Sequence, residues 1–446
     1  MEQFDTIVVG AGVAGVTAAR LLARAGQRVV VLEARDRIGG RVWTHRADGH
    51  STDLGASWIH GIRHSPVAAA AEAFGMRMVE FTVGGYQVDS RPIAYYGPDG
   101  RRLSDEAAAA FAADVHVVDA EVRRQVADAA HDASYWTVAV AAVDRQAWDV
   151  ERSRRVLEYL EHRTEEQYGA WIEHLGAHGL DDDTVDGDEV VFPDGYDRLP
   201  VNIAVGLDVR LEHVVTRVEW SDDGVIVATD HGLFAGSRAI VTVPVGVLQS
   251  EAFEIDPPLP QRIIRSLEVL PMNAFEKVFL RFPERFWDEG VYAIRQQGHE
   301  GRWWHSWYDL TALHGEPTLL TFAAGPAAIA TRDWSDVQLV ESILVQLRRL
   351  FGDAVAAPIG VERTGWQDDP FSHGSYAYMA VGSRTADHDD LAEPIGGGVL
   401  HLAGEATWTD DPATVPGAML SGHRAAERVL GRAVPIEEIW TGSGTD

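Results

Sequence analysis

Phe4 to Arg41, FDTIVVGAGVAGVTAARLLARAGQRVVVLEARDRIGGR, constrains the fold more than any other stretch of the chain. Asp5 to Val9 is a short β-branched run that reads as a buried parallel strand. Gly10-Ala11-Gly12-Val13-Ala14-Gly15 completes a G-x-G-x-x-G. Thr17 to Arg24 reads as a helix with small and apolar residues on one side, closed by Gly26. Arg28 to Leu32 is a second apolar strand, and Glu33 at its end lies 18 residues past Gly15 (33 − 15). Strand, glycine turn, helix, strand and acid together form the dinucleotide-binding βαβ unit. Gly10 permits the tight turn, Gly12 lets a pyrophosphate approach the backbone, and Gly15 lets helix and strand pack closely. The helix N-terminus then offers free N–H groups to the phosphates. Glu33 is placed to accept from ribose hydroxyls.

The residues after Glu33 narrow the cofactor. Ala34-Arg35-Asp36-Arg37-Ile38-Gly39-Gly40-Arg41 adds a glycine pair and an arginine that a nicotinamide domain does not need. A longer, buried cofactor uses them: glycines let it lie on backbone, and an arginine can meet a phosphate. This stretch resembles the FAD-binding start of the flavin amine oxidase family, so FAD is expected.

The chain has 446 residues, enough for two or three domains. No run of 18 apolar residues occurs, so no membrane span is expected. The first strand starts near residue 5, leaving no room for a signal peptide, and a cytoplasmic location is expected. With no cysteine there is no disulfide, no thiolate metal site and no cysteinyl attachment of a flavin; no metal is expected. Net charge is 38 − 68 = −30, which disfavours nucleic acid and anionic membrane and favours a cationic substrate. Lys277 is the one lysine among the 38 basic residues, so an amine is wanted at that position.

Along the chain, Val42 to Arg46 and His50 to Leu54 read as paired strands, and Pro66 to Gly75 as a helix. Asp105 to Arg163 has neither Gly nor Pro and reads as two or three helices. Asp181-Asp182-Asp183 through Asp188-Glu189 reads as a solvated acidic loop. Val209 to Val215, Thr216 to Trp220, Val225 to Thr229 and Arg238 to Pro244 read as strands. In Asn273 to Phe282 the alternation puts Lys277 on one face with Phe275 and Phe279, where burial would lower its pKa. Trp303, Trp304, Trp307 and Tyr308 are expected on a strand pair, and Asp336 to Phe351 as a helix. The chain closes with a strand at Val399 to Ala403 and a helix from Met419 to Leu430.

Taken in order, GAGVAG…EARDRIGGR, DLGASWIHG, VTVPVGVL with the Lys277 strand, W..DPF..GSYAY and AGEAT…PATV.GAMLSG resemble a flavin-dependent amine oxidase over nearly the whole chain. The likeness is to the branch holding polyamine oxidases and lysine-specific histone demethylases. It implies an α/β fold: a Rossmann-like, glutathione-reductase-type FAD domain (residues 1–83, 190–256 and 366–446) interleaved with an α+β substrate domain (84–189 and 257–365). By resemblance, Gly10, Gly12, Ala14, Gly15, Glu33, Ala34, Arg35, Gly39, Gly40 and Arg41 hold the ADP half and pyrophosphate. Gly55, Ala56, Ser57 and Trp58 lie along the flavin, and Val215 meets the adenine. Gly404, Glu405, Thr414 and Val415 take the ribityl and flavin.

The same resemblance gives Lys277 the family role of holding a water at flavin N5, puts Trp366 beside the ring and makes Tyr376 a wall of the aromatic cage. Ser375 stands where monoamine oxidases carry the flavin-linked cysteine, and Thr414 where they carry a second cage aromatic, so non-covalent FAD is implied. His60, in Trp58-Ile59-His60-Gly61, matches a histidine of the amine tunnel, and Glu166 falls near an acid that anchors a distal ammonium. The implied reaction is oxidation of a polyamine C–N bond by hydride transfer to flavin N5, with O2 reduced to H2O2 and the imine hydrolysed. The alternatives are a monoamine or L-amino-acid oxidase, for which Arg63 is the nearby arginine, and a protein-lysine demethylase. Expected partners are a cationic amine and O2, with the chain a monomer or homodimer.

Overall fold

A computed structural model describes residues 1–47, 49–82, 86–89, 91–179 and 186–441 of the chain. Asp181 to Asp183 and the expected boundary at residue 83 lie outside them.

Glu2–Val9 runs parallel to Val29–Leu32 on one side and to Gly232–Val241 on the other. Val209–Arg210 extends the sheet beyond Val29–Leu32, and Leu400–Leu402 pairs with the second half of Gly232–Val241. The first half of that strand carries the hairpin Val215–Ser221 and Gly224–Thr229, edged by Glu254–Asp256. Eight strands from the start, middle and end of the chain thus form one sheet. Ile7, Val8, Ala239 and Ile240 are fully buried, as continuous apolar runs covered on both faces require.

The first helix is Val13–Arg24, a full turn earlier than Thr17. Gly15 hid that turn, because glycine disfavours helix interiors. Packing demands it all the same: a Cβ on Gly15 would stand 2.0 Å from the Gly10 carbonyl oxygen. Burying Leu21 and Leu22 of this helix contributes roughly 1.5–3 kcal/mol each. The last long helix, Val415–Leu430, crosses it closely, a Cβ on Gly422 reaching 2.1 Å from the Ala14 oxygen. It too begins earlier than Met419. Thr414 caps it by accepting from the Gly417 N–H at 3.0 Å, and its first turn contains Pro416, a residue that suits helix starts.

The expected strand from Val209 to Val215 is two separate pieces. After Arg210 the chain turns at Glu212, with φ of 56°, and the N–H groups of Glu212 and His213 donate to the Arg35 and Glu33 oxygens. The fold thereby seats residue 215 beside the acid that ends the second strand.

The second sheet has six strands, in the order Gly360–Arg363, Phe275–Arg281, Thr318–Ala324, Ser306–Asp309, Ala293–Gln296, Ile93–Tyr96. Leu280, Trp304 and Trp307 pack with the helix Asp336–Phe351, which starts on a Ser335 and Gln338 capping box. Trp303 and Trp304 precede the strand rather than lie on it, in the turn after a short 3₁₀ segment at His299–Gly301. Phe279, Tyr308 and Leu320 cluster with Leu54, which follows the hairpin Thr44–Ala47 and His50–Asp53.

The Gly- and Pro-free region forms three helices, Asp105–Asp128, Tyr135–Asp144 and Val150–Tyr168. Each is capped by a Ser or Asp side chain accepting a backbone N–H. Among the described residues no helix is long and apolar enough to cross a membrane.

Candidate active site

A cavity of about 500 Å³ is lined by residues of both sheets and of the Val150–Tyr168 helix. Every site residue expected from sequence lines it except Gly15, which lies beneath the glycine turn.

At one end stands the glycine turn. Gly10 has φ of +102°, and a Cβ there would lie 2.7 Å from Thr242 Oγ1, which itself donates to the Val9 carbonyl at 2.9 Å. Sequence reading passed over Thr242, whose only signal is a polar residue ending the apolar run Ala239 to Val241. A Cβ on Gly12 would meet nothing within 4 Å among the described residues. The helix after Gly12 has no side-chain cap, so its first N–H groups are open to an anion. Glu33 Oε2 accepts from the Ala11 N–H at 2.7 Å and Oε1 from the Arg35 N–H at 2.9 Å. Burial outweighs these bonds and raises the Glu33 pKa.

The arginines are tied down. Arg35 grips Asp369 with both Nη atoms, at 2.7 and 2.6 Å. Arg41 Nη1 donates to Glu405 Oε1 at 2.8 Å and to the Ser375 oxygen at 2.9 Å. Among the described residues Glu405 Oε2 is buried with no hydrogen-bond partner. An open helix N-terminus, empty space over Gly12 and an unsatisfied buried carboxylate oxygen fit a dinucleotide carrying hydroxyls or a polar ring edge. FAD suits this donor and acceptor set.

Lys277 stands in the middle of the cavity wall. Its Nζ donates to the oxygens of Asp53 at 3.1 Å and Gly55 at 2.6 Å, and to Ser57 Oγ at 2.5 Å. An ammonium has three donors, and all three point at the loop between Asp53 and Ser57. Trp58 covers it, with Nζ 5.5 Å from the ring centroid. Burial lowers the Lys277 pKa to about 8, against the attraction of Asp53. Asp53 is raised by burial to about 6, against hydrogen bonds from Thr44 and Tyr196 and the nearby Lys277.

An aromatic wall leads away from Lys277. Ring centroids step from Tyr376 to Phe275 (5.8 Å), to Phe322 (4.8 Å) and to Tyr308 (5.6 Å). Tyr376 donates to the Gln167 oxygen at 3.0 Å. At the wall's far end Glu166 accepts from Tyr308 at 2.6 Å and faces His305 Nδ1 at 3.2 Å. His305 is buried, which lowers its pKa, and it stacks on His162 at 3.8 Å. Neighbouring Glu165 is pushed up to about 8 by burial and by Glu173. His60 stacks on Trp58 and pairs with Glu189. Glu189 is fully buried, which corrects the solvated-loop expectation at that residue: it is the histidine's partner. Arg63 is largely exposed beside Asp186 and does not line the cavity. Among the described residues the lining arginines are Arg35 and Arg41, at the glycine-turn end.

Glu276 was missed from sequence. Its side chain takes the strand face opposite Lys277 and accepts from Thr364 Oγ1, from the Trp366 N–H at 3.0 Å and from the Gln367 N–H at 3.0 Å. It therefore sets Trp366, whose indole donates to the Leu54 oxygen at 3.1 Å. The signal was an acid at an inward strand position. Glu276→Ala is expected to cost about 2–3 kcal/mol, because buried N–H groups lose their acceptor. Thermal melting checks this, with Glu276→Gln retaining most of the loss.

This cavity, shared between a dinucleotide sheet and a lysine-bearing antiparallel sheet, defines a flavin-type oxidoreductase site. The Flavin containing amine oxidoreductase family model matches residues 13–430, and the chain belongs to that family. It is 32% identical over 443 residues to Lysine-specific histone demethylase 1 homolog 3 of Oryza sativa subsp. japonica, covering 95% of this chain and 53% of that protein. It is 30% identical over 453 residues to Polyamine oxidase 2 of Arabidopsis thaliana, covering 96% and 89%. The chain thus spans about half the length of the curated demethylases it matches. A solved structure of putrescine oxidase, a double mutant from a cofactor-binding redesign, superposes with a TM-score of 0.78 at 22% identity, covering 97% of this chain and all of that one. The fold is that of this family.

Proposed function

We propose that the chain is an FAD-dependent oxidase of small polyamines, holding FAD non-covalently. The observation that carries this is the course of the cavity, which leads from the glycine turn past Lys277 along an aromatic wall to the carboxylate of Glu166. Bound FAD supplies two-electron oxidation of the amine C–N bond and passes the electrons to dioxygen. The protein's part is orientation and exclusion of water. Tyr376, Phe275 and Phe322 give a cationic chain apolar and π contact. Glu166, fixed by Tyr308 and His305, faces a second ammonium. Lys277 holds a proton at Nζ within the buried wall, and the His60 and Glu189 pair stands on the substrate side. The absence of an arginine from the lining away from the glycine turn, among the described residues, speaks against an amino-acid carboxylate as substrate.

The test is anaerobic bleaching of the bound flavin by spermine, spermidine, N-acetylated spermine, putrescine, a phenylethylamine, an L-amino acid and a methyl-lysine peptide. Bleaching by a polyamine, reversed in air with peroxide formed, is the expected result. Bleaching by the peptide alone would replace this reading with a demethylase, the activity in the names of several relatives. Glu166→Gln is expected to weaken binding of a diamine by about 30-fold or more, through loss of a buried charge partner. A monoamine should lose far less; calorimetry with both ligands checks it.

A further inference from the structure

A second cavity, of about 260 Å³, lies behind the loop that receives Lys277; its lining includes His50, Asp53, Ser57, Trp58, Asp194 and His314. Ser57 and Trp58 line both cavities. The Ser57 hydroxyl meets Lys277 Nζ at 2.5 Å, so a single hydrogen-bonding group separates the buried ammonium from the second space. Asp53 turns its backbone oxygen to the same Nζ at 3.1 Å, while its carboxylate accepts from Thr44 Oγ1 at 2.6 Å and the Tyr196 N–H at 3.1 Å. The second cavity carries titratable groups, and a polar space of this size holds water.

We propose that Ser57 relays protons between Lys277 and this second cavity, with the Asp53 carboxylate as counter-charge, separate from the path taken by the amine. The relay rests on the flavin-oxidase reading of the site. Overall, R–CH2–NH3+ and O2 give R–CH=NH2+ and H2O2. One C–H and one N–H bond break, an electron pair moves to dioxygen through the bound FAD, and two O–H bonds form. The proton released from nitrogen must be held and then returned to reduced oxygen. Lys277, whose three N–H groups are all donated as the ammonium, first passes a proton through Ser57 to the second cavity and its solvent; the neutral amine then takes the substrate's proton and returns it to reduced oxygen while the substrate fills the first cavity. Asp53 supplies the counter-charge. The charged and titratable groups around that carboxyl are Lys277, Arg46, Tyr196 and Asp197, with Arg77, Asp194, His50 and His314 on the cavity side.

The test uses the holoenzyme reduced with dithionite under argon and mixed with oxygenated buffer, so no amine is required. Rates for Ser57→Ala and Asp53→Asn are taken per bound flavin, measured by absorbance. Both should slow the return of oxidised flavin at least tenfold, with an enlarged solvent isotope effect. Leu313→Trp, which narrows the second cavity without adding or removing a charge, should slow it likewise, and Asp53→Glu should restore part of the rate. Lys277, the sole lysine, gives one resonance in protein labelled with [ε-13C]lysine; Asp53→Asn should lower its titration midpoint by removing the anion. Wild-type reoxidation and isotope effect in Ser57→Ala and Leu313→Trp, or an unmoved lysine midpoint in Asp53→Asn, would overturn the relay. If no amine bleaches the flavin, the substrate reading fails while this measurement still decides the relay.

Discussion

Lys277→Met should bind FAD as the wild type does and lose about 100-fold or more of its turnover, the scale of a lost acid or base. Methionine matches the length of the lysine stem but donates nothing to Asp53, Gly55 or Ser57. The fold should survive the change. Unpaired carbonyls cost stability, but a buried charge no longer has to be desolvated, and the two effects oppose each other. Stability against pH separates the charge from the packing. Burial takes Lys277 from 10.5 down to about 8, so between those values the unfolded chain binds more protons than the folded one. Wild-type stability therefore rises with pH across that window. Asp53 has the opposite sign: its pKa goes from 3.8 up to about 6, so its contribution is full below 3.8 and is lost as pH rises through 6. In Lys277→Met the rise above pH 8 should vanish from melting curves. A variant with full turnover and unchanged oxygen reactivity would remove Lys277 from the mechanism.

The sequence alone made the βαβ unit, the three-helix stretch and the Lys277 strand legible. Each rests on a local rule: glycine spacing, absence of helix breakers, and alternation over Phe275 to Arg281. Helix starts were misplaced at Gly15, where tertiary packing overrode propensity, and at Thr414 to Gly417, where a local cap and an N-terminal proline were passed over. The division of Val209 to Val215 was hidden because Glu212 reverses the chain by bonding to residues almost 180 positions earlier. Glu276, Asp369 and Glu189 were missed as positioning groups for the same reason. Asp369 and Glu189 look like ordinary surface acids in sequence, Glu276 is an acid at an inward strand position, and the partner of each (Arg35, His60 or Trp366) lies on another segment. Residue spacing reports what a segment does to itself; a side chain held by a remote backbone leaves no period to read.

The glycine turn offers the second large effect, because two of its glycines differ in what surrounds them. Gly12 has φ of −71° and ψ of 176°, backbone open to any residue, and a Cβ there meets nothing within 4 Å. Gly12→Ala should fold normally, even gaining a few tenths of a kcal/mol by limiting the unfolded chain, in line with the roughly 0.4–1 kcal/mol seen at compatible sites. Its methyl then occupies the space over the helix N-terminus, where a pyrophosphate must approach. FAD affinity should fall by about 100-fold or more, since each lost tenfold needs only about 1.4 kcal/mol. Gly15 lacks that freedom, its Cβ being aimed at the Gly10 oxygen 2.0 Å away. Gly15→Ala must push helix from strand, at a cost of about 1–3 kcal/mol. Melting of the apoproteins and FAD titration of both variants read the two effects apart. Gly12→Ala should be stable and poor in FAD, while Gly15→Ala should be unstable first and poor in FAD as a consequence. If Gly12→Ala binds FAD as tightly as the wild type, the empty space over the first helix does not belong to the cofactor, and the dinucleotide must lie elsewhere along the cavity.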